Sequence, residues 1–242
     1  MGRKKHSAST TKSNVFIINE QLRAIIILGY ATLTVIILEY FGRTEFIYSH
    51  FPGLGRQHFG LYPQLWWAAW TFVLFLVVPA VIVKVVFKEH LRDYGLKLKV
   101  KRQYYLIYLG LFLVALPLVI YTSTRPDFRA IYPFFRGALS APVSDIVIWE
   151  MAYLSTFVAL EFFFRGFLVL GLERNFGKLA IWVALVPYVM LHFHKPPLEA
   201  FGAIFTGLIL GELAQRSRSI VGGALVHVGI ASTMDFMALN RF

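Results

Sequence analysis

The sequence predicts an all-α fold, a polytopic membrane bundle of about seven or eight transmembrane helices. Three observations carry that prediction. The 242 residues are 57% hydrophobic and only 15% charged, whereas a soluble domain carries about 25% charged residues. Mean hydropathy is +0.63, and several runs reach the roughly 20 apolar residues that a bilayer span needs. Lysine and arginine gather at the ends of those runs, as anionic headgroups and the positive-inside rule require. The same distribution accounts for the net charge of +11 without a nucleic-acid partner. The chain has no cysteine, so neither a disulfide nor a thiolate site is available.

Each element follows in order. Residues 1–20 read as a basic, polar cytoplasmic tail, neither a cleavable signal peptide nor a good myristoylation signal. Spans are expected at 22–41, 65–87, 104–121 and 143–172, the second opening on the interfacial belt "LWWAAW". Shorter segments follow at 177–192, 198–214 and 219–239, with a partly irregular turn at "HFHKPP" after His192. An eighth helix could lie in 44–62 or 124–142. Residues 21–142 then form an N-terminal set of helices, and 143–242 a core that carries the polar site. The basic segments "KEHLRDYGLKLKVKR", "ERNFGK" and "QRSRS" share a side with the tail if the N-terminus is cytoplasmic. The expectation is a multi-pass cell-membrane protein of bacterial inner-membrane type.

Ionisable residues within spans are costly and mark function by default. Here they concentrate in the C-terminal half: Glu150, Glu161, Arg165, His192, His194, His227 and Asp235. At 1.5 Å per residue, Glu161 lies roughly 18 Å and Arg165 roughly 12 Å from the cytoplasmic ends of their span. His227 lies roughly 12 Å and His192 roughly 22 Å along theirs. Glu161, Arg165, His192 and His227 thus share one band of the membrane and are the candidate catalytic residues. Glu161 and Arg165, spaced i and i+4, can also be a structural ion pair. His192, His227 and Glu161 have the chemistry of a divalent-metal site, zinc for instance, with one position open for water. His194 reads as a turn residue, Glu150 as a polar contact nearer the outer leaflet, and Asp235 as a residue either behind the site, supporting it, or at the cavity mouth. The three phenylalanines of "LEFFFRG" read as packing.

The polar positions resemble the CPBP family of intramembrane proteases, which includes CAAX endopeptidases and bacteriocin-processing Abi proteins. The family motif Glu-Glu-x-x-x-Arg aligns with Leu160-Glu161-x-x-x-Arg165, followed by "GFL". Phe-x-x-x-His aligns with Tyr188-x-x-x-His192, and His-x-x-x-Asn with His227-x-x-x-Ala231. The stretch "AIFTGLILGELAQRSRSIVGGALVHVG" is similar throughout. The resemblance implies an endopeptidase that cuts near the C-terminus of a membrane-associated peptide or protein. It gives the water-activating role to the first glutamate of the pair and to the histidine of the second motif. Here the first of those positions is Leu160 and the Asn position is Ala231. Two readings follow: an atypical endopeptidase in which Glu161 substitutes, or an inactive relative that binds a peptide or lipid or scaffolds a partner. A transporter is disfavoured, because no internal repeat is visible.

Overall fold

The computed structural model describes residues 19–240. The expected tail at 1–20 lies outside the described residues except for Asn19 and Glu20. Asn19 caps the first helix, its side-chain oxygen accepting from the Leu22 amide at 2.8 Å, which satisfies one of the amides a helix start leaves free.

Every regular element among the described residues is helical. We label the principal ones α1 (Glu20–Gly42), α2 (Pro52–Val86), α3 (Arg102–Ser123), α4 (Val143–Phe176), α5 (Leu179–Met190), α6 (Pro197–Ser217) and α7 (Val221–Leu239). All except α5 are long and apolar enough to cross a membrane. The 12 residues of α5 extend only about 18 Å, short of the roughly 30 Å hydrocarbon core. Seven segments therefore match the seven expected. The candidate eighth does not form. Residues 44–62 make short helices at Thr44–His50 and Pro52–Arg56 and a kink at His58 and Phe59. Residues 124–142 hold only the single turns Pro126–Arg129 and Arg136–Leu139.

The helices sort into a centre and a rim. The apolar window of α4 is 72% buried, against 11% for α3, so α4 runs through the middle and α3 faces lipid. A helix apolar on every side belongs in a core, and Phe162–Leu170 of α4 is buried at all nine positions. The "FFF" run packs as expected: Phe163 stacks on Phe75 of α2 at 4.6 Å, and Phe164 meets the edge of Tyr188 of α5 at 5.2 Å. The same nine residues form a π-helical stretch directly after Glu161. Such wide turns occur mostly at functional sites.

Polar ties hold the two ends. At the basic end Arg23 forks onto Glu89 at 2.7 and 2.9 Å. Tyr94 joins them, accepting from Arg23 at 2.6 Å and donating to Glu89 at 2.7 Å. Burial, reinforced by Glu89, raises the Tyr94 phenol above its ordinary pKa. Arg174 reaches Glu20, and Arg218 pairs with Glu173. At the opposite end Tyr132 donates to Glu199 at 2.8 Å, and Lys195 pairs with the same carboxylate at 2.7 Å.

Candidate active site

The α5 helix stops short because the sequence after it cannot continue one. Residues 191–195 form a turn, His194 takes a left-handed φ of 68°, and Pro196 and Pro197 follow. His192 thus sits within the turn, where the irregular segment was expected. His194 is the turn residue its position suggested.

A cavity of about 770 Å³ lies between α4, α5, α6 and α7, with α1, α2 and α3 contributing its far wall. Leu160, Tyr188, His192, His227 and Ala231 all line it, as do Lys195 and Glu199. Its further lining reaches Glu45, Gln64 and Arg136, all at the end of the bundle away from the basic ties. None of its lining comes from the 88–102 segment.

Glu161 does not line the cavity. It lies one residue, hence about 100°, around the helix from Leu160, and it is fully buried behind the wall. There its Oε1 lies 3.4 Å from Nη1 of Arg165 and 2.8 Å from Nδ1 of His227. The expected i, i+4 pair therefore forms. Gly223 of α7 makes room for it, since a Cβ at that position would collide with Oε2 of Glu161. The Gly-Gly before the histidine is thus a close-packing device: Gly222 lies against the Tyr108 ring in the same way. Gly223→Ala is expected to destabilise the protein by about 1–3 kcal/mol through overpacking. Gly110→Ala, where the added carbon meets nothing within 4 Å, is expected to leave stability unchanged or slightly raised. Thermal unfolding of both variants in detergent checks the difference, and equal effects would refute this account of Gly223.

Tyr188 joins the site together through three different parts. Its ring lies under the Arg165 guanidinium, 4.2 Å from the centroid, a cation–π contact strengthened by desolvation. Its hydroxyl is 3.1 Å from Nε2 of His227. Its carbonyl oxygen is 2.9 Å from Nδ1 of His192. A carbonyl can only accept, so that His192 nitrogen carries the proton and Nε2 keeps the lone pair. At His227, Nδ1 lies 2.8 Å from Oε1 of Glu161 without hydrogen-bond alignment, and Nε2 lies within hydrogen-bonding distance of the Tyr188 hydroxyl. The result is a hydroxyl–imidazole–carboxylate line, Tyr188 to His227 to Glu161, with Arg165 compensating the charge at its buried end. Sequence reasoning treated Tyr188 as a mild variant of Phe. Only the packing of α5 against α4 and α7 shows what the added hydroxyl touches.

The expected metal trio of His192, His227 and Glu161 is not assembled as a ligand set. Among the described residues no group of three His, Cys, Asp or Glu side chains converges to hold a metal ion. His192 and His227 line the cavity, whereas Glu161 is fully buried and does not, so the three side chains do not face one common point. Asp235 is buried and does not line the cavity, so of its two expected places the one behind the wall fits and the mouth does not. Lys195, Glu199 and Tyr132 also line the cavity, and the Tyr132 phenol is raised by burial and by the neighbouring Glu199 carboxylate.

The cavity brings two histidines, His192 and His227, to one wall within the bundle. Residues 142–233 match the family model described as type II CAAX prenyl endopeptidase Rce1-like, so this segment is similar to that family of membrane proteases. The matched segment begins just before α4 and ends within α7, and so contains every residue of the polar site. No curated protein and no solved structure matches the chain.

Proposed function

We propose that the protein is an intramembrane endopeptidase that hydrolyses a peptide bond near the C-terminus of a membrane-associated peptide or protein. The observation that carries this reading is the Tyr188 carbonyl bond at His192, which fixes a basic imidazole nitrogen on a ring lining the cavity. His192 takes a proton from a water molecule as the water oxygen attacks the substrate carbonyl carbon. When the carbon–nitrogen bond breaks, His192 returns that proton to the leaving nitrogen. As the oxyanion develops, the Tyr188 hydroxyl turns its proton from Nε2 of His227 to that oxygen and holds it, with His227 positioning the phenol. Glu161 and Arg165 act behind the wall as positioning residues, fixing the His227 ring. This division of labour needs no carboxylate at position 160.

The basic ends of the helices support an N-terminus on the cytoplasmic side. The cavity then opens toward the opposite face, and substrate enters from there or from within the bilayer.

The test is cleavage of membrane-anchored peptides by purified protein in nanodiscs, with mass spectrometry of the fragments. Tyr188→Phe keeps the ring under Arg165 and removes only the hydroxyl. It is expected to lower kcat about tenfold, the scale of one hydrogen bond to a charged group, with KM unchanged. Cleavage by Tyr188→Phe at the wild-type rate would remove the hydroxyl from the mechanism.

A further inference from the structure

A second pocket, of about 410 Å³, lies at the basic end of the bundle, outside the polar site. It is lined by Lys97, Lys99, Val100, Lys101, Tyr104, Arg216 and Ser217. Its size is within the range of ligand sites. The three lysines alternate along an extended segment, and side chains two apart in extended chain share a face. That segment is pinned in place. Ser219 donates to the Lys97 carbonyl at 2.7 Å, the Ile220 amide to the Gly95 carbonyl at 3.0 Å, and Tyr105 to the Leu98 carbonyl at 2.6 Å. Tyr104 donates to the Arg216 carbonyl at 3.0 Å, tying α3 to the end of α6. Gly95 takes a left-handed φ of 85° where the segment turns, a conformation that suits glycine.

Several cations at this end are paired. Arg23, Arg174, Lys178, Arg216 and Arg218 all have carboxylate partners. Lys97, Lys99 and Lys101 have none among the described residues, although the pocket brings them together and like charges repel. Their level in the membrane is fixed by their neighbours. Lys101 directly precedes the first residue of the α3 span, and Leu98, between the lysines, is 76% exposed. An apolar residue so exposed beside three cations matches the boundary between acyl chains and headgroups.

We propose that this pocket is a binding site for the phosphate of an anionic phospholipid, held by Lys97, Lys99 and Lys101 while Leu98 lies among the acyl chains. The ligand chemistry is a phosphate-bearing anion, and the lipid supplies it in the form the apolar neighbour favours. The site stands apart from the polar cavity and does not rest on the proteolytic reading.

The test is lipid binding to the purified full chain, followed by native mass spectrometry and by thermal unfolding in a zwitterionic detergent. Dioleoyl-phosphatidylglycerol is expected to bind and to raise Tm, and dioleoyl-phosphatidylcholine is not. Lys99→Gln is expected to weaken phosphatidylglycerol binding about fivefold, and the Lys97→Gln/Lys99→Gln/Lys101→Gln triple variant about 100-fold, from the worth of each cation at a membrane surface. Arg92→Gln, exposed at the same end but outside the pocket, serves as the control and is expected to leave binding unchanged. Equal binding of the two lipids, equal loss in the Arg92 control, or wild-type binding by the triple variant would each overturn the proposal. Stabilisation by inorganic phosphate equal to that by the lipid would overturn the lipid assignment and identify free phosphate as the ligand.

Discussion

Replacing His192 with alanine is expected to lower kcat for peptide cleavage by about 10²–10⁴-fold, the range for loss of a positioned general base. The ring sits in a turn rather than inside a packed helix, and its only side-chain hydrogen bond is to the carbonyl one turn earlier. The substitution therefore removes the base with little effect on the fold, and KM is expected to stay near the wild-type value. His192→Gln is the sharper control, because its amide can reproduce the bond to the Tyr188 carbonyl and yet has no basic nitrogen. Wild-type kcat in either variant, measured on a membrane-anchored peptide, would refute the assignment of His192. Leu160→Glu adds a second arm. It places a carboxylate on the cavity wall, where the family resemblance puts the water-activating group. Cleavage by Leu160→Glu and none by the wild type would identify the native cavity as a binding site rather than a catalytic one.

Much of this arrangement was legible in the sequence because the bilayer enforces it. Spans must be apolar and long, so their positions follow from composition; the ends match within a few residues except that α2 begins at Pro52 rather than near 65, because helical turns at 52–64 run into it. The short α5 segment and its turn were likewise legible, since Pro196 and Pro197 stop the helix that follows His192. The pairing of Glu161 with Arg165 followed from helix periodicity alone. What periodicity could not give is which face of α4 meets the cavity. That depends on the packing of α4 against α5 and α7, which turns Leu160 inward to the cavity and Glu161 toward Gly223. Matching depth along three helices likewise does not by itself make three side chains converge, and among the described residues no such group of His, Cys, Asp or Glu forms. The role of Tyr188 was hidden in another way. Its ring, hydroxyl and carbonyl each contact a different residue, and no spacing rule links position 188 to His227 or Arg165.

Arg165→Met is expected to destabilise the folded protein by about 3–5 kcal/mol, the cost of leaving one partner of a buried ion pair unmatched. The reasoning begins with burial. Glu161 is fully buried and Arg165 is 2% exposed, so neither charge is screened by water. With the guanidinium gone, the carboxylate keeps only the His227 imidazole at 2.8 Å, and a lone buried carboxylate must find a proton or disrupt its surroundings. Methionine retains apolar packing over the Tyr188 ring, so the loss reports charge rather than volume. The same logic predicts recovery. The double variant Glu161→Gln/Arg165→Met removes both charges together and is expected to regain most of the lost stability, because replacing a whole buried pair by neutral groups is often close to neutral. The coupling energy from this double-mutant cycle, measured by thermal unfolding in detergent, is expected to exceed about 1 kcal/mol, as for residues in direct contact. Additive effects of the two substitutions would show that the pair contributes no mutual stabilisation. Function is expected to separate from stability in this cycle. The double variant restores the fold, yet it leaves His227 without the carboxylate beside its Nδ1. Its kcat is therefore expected to stay below wild type even where its Tm returns, which assigns Glu161 to positioning the imidazole rather than to holding the bundle together.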